Sequence, residues 1–174
     1  MRAVESRYSA EHHMASVNLI FDNEQTAYIR ELSEKMNLDF GEFIPHATLI
    51  NVTEQDIPRL KLAAAALPSL DKLVLDGVNF LPDEAGNCVC VELRVQKTSW
   101  MVEVRRKLLE VLDDIHPGLD IDGFRPHITL GIVEAGTLGD VDMSAIPRQL
   151  PVITKPRAAA CYNGVHGKVV EVVE

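Results

Sequence analysis

The segment Phe43-Ile44-Pro45-His46-Ala47-Thr48-Leu49 recurs as Phe124-Arg125-Pro126-His127-Ile128-Thr129-Leu130, with five of seven positions identical and the two histidines 81 residues apart. The chain has only six histidines and seven threonines in 174 residues, so chance does not easily place the pair twice in one hydrophobic frame. Histidine has an unperturbed pKa of about 6.5 and serves as either acid or base near neutral pH. A hydroxyl two residues on is a hydrogen-bond donor for an oxygen on which charge develops. The types and the spacing therefore point to an acid/base pair with two donors beside it. A lone strand histidine is more often hydrogen-bonded in a core than engaged in chemistry, and two matched copies weigh against that reading.

Positioning such a pair requires strands. In an extended segment residues i and i+2 share a face, so His46 and Thr48 project together, as do His127 and Thr129. Ala47, Leu49, Ile128 and Leu130 point the other way, into a core. Around these strands the pattern predicts a strand over Ala15 to Phe21, then a helix over Glu24 to Met36 after a cap at Asp22-Asn23. A second helix is expected over Thr53 to Leu67, opened by Thr53, followed by strands over Leu70 to Phe80 and Asn87 to Val95. Thr98 then leads into a helix from Trp100 to Ile115, which ends at His116-Pro117-Gly118. The second histidine strand spans Arg125 to Val133, a short helix is expected within Leu138 to Ile146, and strands over Arg157 to Val165 and Lys168 to Val173 close the chain. The order reads as two β-α-β-α-β units head to tail, over about 15–86 and 87–174.

Composition sets bounds on function. A 47% hydrophobic and 25% charged chain of this length is expected to form one compact unit, or two small lobes, with a real core. Its net charge of −9 opposes long-range attraction to a polyanion, which argues for a small or locally held phosphate substrate and against an extended nucleic-acid duplex. Cys88, Cys90 and Cys161 have no metal-type spacing and read as buried reduced thiols. The polar stretch Met1 to Met14 lacks a secretory pattern, and no stretch approaches membrane-spanning length, so a cytoplasmic protein without membrane contact is expected. The Arg105-Arg106-Lys107 run, between Glu103 and Glu110 on an amphipathic helix, reads as a solvated face. Phe43 and Phe124 read as core anchors, His12-His13 as exposed, and His116 as a helix-end cation.

With two H-x-T-L motifs about 80 residues apart, each in a strand-helix-strand unit, the sequence resembles the 2H phosphoesterase superfamily, and within it the 2′-5′ RNA ligase and RNA 2′,3′-cyclic phosphodiesterase branch. The resemblance runs from the Val17-Asn18-Leu19-Ile20-Phe21-Asp22 strand to the Gly164-Val165-His166-Gly167-Lys168-Val169 hairpin. It implies a single α+β domain with two lobes, a pseudo-twofold duplication, and two antiparallel sheets lining a central cleft with helices outside. It also implies phosphoester chemistry without metal or cofactor, on a cyclic nucleotide or RNA-end phosphate, in a protein expected to be monomeric.

The residues expected to carry that chemistry are His46 and His127, with Thr48 and Thr129 on the phosphate oxygens. The resemblance implies that His46 protonates the leaving 3′-oxygen and His127 activates water. Members of the RNA-processing branch often carry a basic residue after the second motif, where this chain has Gly131-Ile132-Val133. Arg125, on the same strand face as His127, is the expected partial replacement, and Tyr162 and His166 are further candidates to line the cleft. Cleavage or ligation of a linear 2′-5′ linkage and nucleotide or RNA-end binding without turnover remain open as alternatives.

Overall fold

Alternation of apolar and polar residues builds the strands, and amphipathic stretches build the helices. The computed structural model describes residues 14–83, 85–115, 124–164 and 168–174. Strand β1 (Ala15–Ile20), helix α1 (Asn23–Lys35), strand β2 (His46–Val52), helix α2 (Ile57–Ala65) and strand β3 (Lys72–Pro82) make up the first half. Strand β4 (Cys88–Val95), helix α3 (Ser99–Leu112), strand β5 (His127–Glu134), strand β6 (Val152–Thr154), strand β7 (Arg157–Asn163) and strand β8 (Val169–Val173) follow. None of the helices among the described residues is long and apolar enough to cross a membrane.

Two four-stranded antiparallel sheets result, in the orders β2-β1-β7-β8 and β5-β4-β3-β6. The two orders correspond strand for strand, which is the expected pseudo-twofold duplication. One strand of each half, however, crosses over to pair with the opening strand of the other. Strand β3 pairs with β4 of the second half, and β7 pairs with β1 of the first. Neither sheet is made from one half of the sequence alone. Strands β2 and β5, the edges that carry the histidines, lie next to each other.

One hydrophobic core joins the sheets. Val17, Leu19, Leu49 and Ile50 of the first sheet pack in the same cluster as Leu75, Val91, Leu93, Ile128 and Leu130 of the second, with Ile29 and Leu32 of α1, Leu60 of α2 and Leu108 of α3. Burying these side chains supplies the main drive to fold. The helices cross as the strands do, for α1 packs on β5 and α3 on β2.

The caps depart from the sequence expectation at one helix. Helix α2 begins at Ile57, where Asp56 accepts from Arg59 N at 3.2 Å and a proline lies in the first turn, a favoured N-terminal arrangement. Thr53 does not open it; its amide and hydroxyl both donate to Ile115 O, at 2.8 and 3.0 Å, and tie β2 to the end of the α3 segment. The other two caps are where the sequence puts them, Asp22 accepting from Gln25 N and Thr98 from Met101 N. The expected short helix in 138–146 is two 3-10 turns, Ala135–Asp140 and Met143–Ala145. Strand β6, only three residues long, carries too little pattern to be read.

Both histidine strands contain a β-bulge at the same place. Val17 pairs with Ile50 and Asn18 with Thr48, so Leu49 is extra; Val91 pairs with Gly131 and Glu92 with Thr129, so Leu130 is extra. The bulge explains why two consecutive residues after each threonine are buried, against the alternation of a regular strand. Each extra residue's carbonyl is taken by a buried side chain from the other half: Arg105 Nη1 donates to Leu49 O at 2.5 Å, and Ser33 Oγ to Leu130 O at 2.7 Å. Arg105 is 3% exposed, so it is no part of a solvated face. Its guanidinium also lies 5.2 Å from the Phe124 ring centre. Asn37, with φ 58, turns the chain out of α1 and brings Leu38 against the second bulge, where a Cβ on Gly131 would meet Leu38 Cβ at 3.0 Å.

Removing the hydroxyl in Ser33→Ala strips the buried Leu130 carbonyl of this donor. We expect urea unfolding to show a loss of about 1–2 kcal/mol at unchanged m, despite the better helix propensity of alanine. The exposed neighbour Glu34→Ala is expected within about 0.5 kcal/mol of the parent; equal stability of the two variants would remove the bulge carbonyl as a structural determinant.

Candidate active site

The register places each expected residue. His46 stands opposite Ile20, and Thr48 opposite Asn18, on one face of the first sheet. His127 stands opposite Arg94, and Thr129 opposite Glu92, on the matching face of the second. Each histidine and threonine is half-buried. The two rings are near enough that a charge on His127 bears on the titration of His46.

The rings are oriented alike. His46 Nδ1 is 2.7 Å from Ile44 O, and His127 Nδ1 is 2.9 Å from Arg125 O, in each case the carbonyl two residues back. A carbonyl only accepts, so each Nδ1 carries the proton in that bond and the ring is fixed about it. Each Nε2 is thereby left as the atom that takes or gives a proton.

The electrostatics of the two rings differ. Burial is the largest influence on His46 and pushes its pKa down to about 4; the Ile44 bond opposes this, while His127 and Lys168 push the same way. At neutral pH the His46 ring is uncharged. His127 has Glu92 beside it, Oε2 lying 3.6 Å from Nε2, and Glu92 is 1% exposed. The Glu92 carboxylate forms an ion pair with Arg125 and accepts from Asn79 Nδ2 at 3.4 Å through Oε1. Its Oε2 accepts no hydrogen bond among the described residues.

Arg125 thus lies where the sequence puts it, but Glu92 already balances its charge. Tyr162 is a correction. It pairs with Ala15, an odd number of residues from the Ile20 position opposite His46, so strand alternation turns it to the other face, where it packs on the main core. His166 lies outside the described residues, as do His12, His13 and His116. The two phenylalanines of the motifs part company: Phe124 is buried in the core, whereas Phe43 is half-buried with Lys168 Nζ 4.3 Å from its ring centre.

Three residues near the histidines escaped sequence reasoning. The charge of Lys168 bears on both His46 and Cys90, its Nζ lies 4.3 Å from the Phe43 ring centre, and burial lowers its pKa. Cys90 is half-buried rather than sealed in the core, bonded to Thr129, and burial with the Glu92 charge raises its pKa to about 11, so it stays a thiol. Glu92 is the third. The only sequence signal for it is an acid inside an otherwise apolar Cys-Val-Cys-Val-Glu-Leu run, and for Lys168 a cation at a hairpin next to a third histidine.

No family model and no curated relative matches the sequence. Solved structures do. The protein TT0787 of Thermus thermophilus superposes with a TM-score of 0.58 at 19% identity, covering 92% of this chain and 95% of its own. Escherichia coli LigT complexed with 3′-AMP gives 0.55 at 16% identity, covering 94% and 96%. Usb1 of Kluyveromyces marxianus gives 0.52 at 12% identity, covering 94% and 98%. The chain has the fold of these structures over nearly its whole length.

Proposed function

We propose that this protein is a phosphoesterase that opens a cyclic phosphodiester, the 2′,3′-cyclic phosphate of a nucleotide or RNA end, by general acid/base catalysis with His46 and His127. The observation that carries the reading is the matched pair of Nδ1 bonds, which leaves two Nε2 atoms as proton acceptor and donor in neighbouring strands. Opening the ring requires both at once. As water attacks phosphorus a base takes its proton; as the P–O3′ bond breaks an acid protonates the departing alkoxide, and a 2′-phosphate remains. Two nitrogens on opposite sides of phosphorus permit in-line attack and departure.

Thr48 and Thr129, on the faces of their histidines, donate hydroxyls to the non-bridging oxygens as charge builds there. Lys168 takes the part expected of Arg125, because Arg125 is already paired with an acid and Lys168 approaches His46. The 3′-AMP and ATP held by LigT structures of the same fold support a nucleotide as ligand. The net charge of −9 favours a short or terminal phosphate over a long polyanion. In the reverse direction the same groups join ends, with donor and acceptor exchanged.

Turnover of 2′,3′-cyclic nucleotides followed by phosphorus NMR is expected to fall by about 10²–10⁴ in His46→Ala and in His127→Ala. Near-wild-type turnover by either variant on every cyclic phosphate in the panel rules out the two-histidine mechanism, and tight nucleotide binding without conversion at any pH identifies a binding module instead. Thr48→Val and Thr129→Val are each expected to lower kcat by about 10² while KM changes little, since their hydrogen bonds strengthen in the transition state. An equal loss confined to KM would make them ground-state binding groups only.

A further inference from the structure

We propose that Glu92 divides the labour of the two histidines, holding His127 as the imidazolium that protonates the leaving oxygen and leaving His46 as the neutral base. The inference rests on the two-histidine reading above and reverses the roles expected from family resemblance. It starts from the duplication. The paired strands match position for position, with a bulge after each threonine and an Nδ1–carbonyl bond at each histidine. Directly opposite the threonine, one half has Asn18 and the other Glu92. The equivalent positions therefore differ by one negative charge.

That charge is placed to act on His127. Glu92 is buried, and an ionised carboxylate without donors at such a place is costly. Arg125 and Asn79 serve Oε1, and Oε2 faces His127 Nε2. At 3.6 Å the two atoms attract as charges without forming a hydrogen bond, so a proton on Nε2 is stabilised yet stays available to substrate. The other charged groups around His127 are its own-strand neighbour Arg125, tied to Glu92, and Arg94 of β4, whose guanidinium is turned to Asp76 at 2.5 Å. His46 and, beyond it, Lys168 face it from the first sheet. Cys90, on the same face of β4 as Glu92, is a neutral thiol.

Around His46 the balance is opposite. Its β1 neighbours are Ile20 and Asn18, and the charges that reach it are that of Lys168 and, once protonated, that of His127. A ring in that setting stays uncharged, able to accept a proton from water. In the step itself His46 Nε2 takes the water proton as the P–O bond to water forms, and His127 Nε2–H passes its proton to O3′ as the P–O3′ bond breaks. Solvent restores both states.

The test is a Cε1–H NMR titration of His46 and His127 in the full chain, read beside the pH profile of kcat/KM on a 2′,3′-cyclic nucleotide. In Glu92→Gln the His127 titration is expected to move down by about one pH unit or more, with the alkaline limb of the profile following and the acidic limb unmoved. In Arg125→Met, at a side chain 42% exposed, it is expected to move up. An unmoved His127 in either folded variant, or movement of the acidic limb in its place, overturns the assignment. The titration needs no turnover: a shifted His127 in a protein that converts no phosphoester would reject the proposed function and keep Glu92 as the charge-setting residue, whereas normal turnover with an unmoved His127 would reject Glu92 alone.

Discussion

Each histidine strand holds one residue more than the strand beside it, and much of the molecule is arranged around that surplus. A bulge bends its strand and leaves the extra peptide outside the ladder, and a buried carbonyl must still find a donor. Here the donors come from the opposite half, Arg105 of α3 for Leu49 and Ser33 of α1 for Leu130. The crossing of β3 and β7 between sheets works in the same sense. The two halves are thus held together by buried bonds and by sheets that each draw strands from both, so the separation of the two imidazoles is a property of the core and not of a loop. The proposed mechanism, with two nitrogens on either side of one phosphorus atom, needs that rigidity.

Within the duplicated frame the contents diverge. Ser16, Asn18 and Ile20 of β1 occupy the positions that Cys90, Glu92 and Arg94 occupy in β4. Two identical phenylalanines likewise end in different surroundings. Phe124 is buried beneath the guanidinium of Arg105, while Phe43 has the ammonium of Lys168 beside it and stays half-buried. The helix residue that reaches the second bulge is a serine, too short to cover Phe43 as Arg105 covers Phe124. Duplication supplies matching geometry, and a few substitutions at matched positions supply unequal electrostatics.

How far the amino-acid sequence can be read follows from range. Faces are legible because alternation is local: His46 with Thr48 and His127 with Thr129 need only the two-residue strand period, and the caps at Asp22 and Thr98 need only three residues. The crossing of β3 and β7 is not legible, because sheet partners are chosen by contacts distant in sequence. Burial of charge escapes for the same reason. Arg105 sits in a run of three cations flanked by acids and looks solvated, yet the helical period turns it inward while Arg106 remains exposed and pairs with Glu103. Tyr162 fits a cleft position on sequence grounds, and strand alternation from Ala15 turns it to the core, a fact that becomes visible only once β7 is known to pair with β1.

The distribution of basic side chains bears on what such a cleft holds. Arg59 pairs with Asp114, Arg94 with Asp76, Arg106 with Glu103, Arg125 with Glu92, Arg157 with Glu174 and Lys35 with Glu31. These pairs cancel charge where it arises and leave little field beyond the Debye length of about 8 Å at physiological salt. The chain as a whole remains acidic, so a long polyanion gains nothing at a distance. Under the proposed function, attraction has to begin at contact, with Lys168 and the threonine hydroxyls. Short-range recognition of that kind fits the proposed substrate, one phosphate carrying a single negative charge, for the cost of bringing further phosphates against the acidic surface rises with each one added.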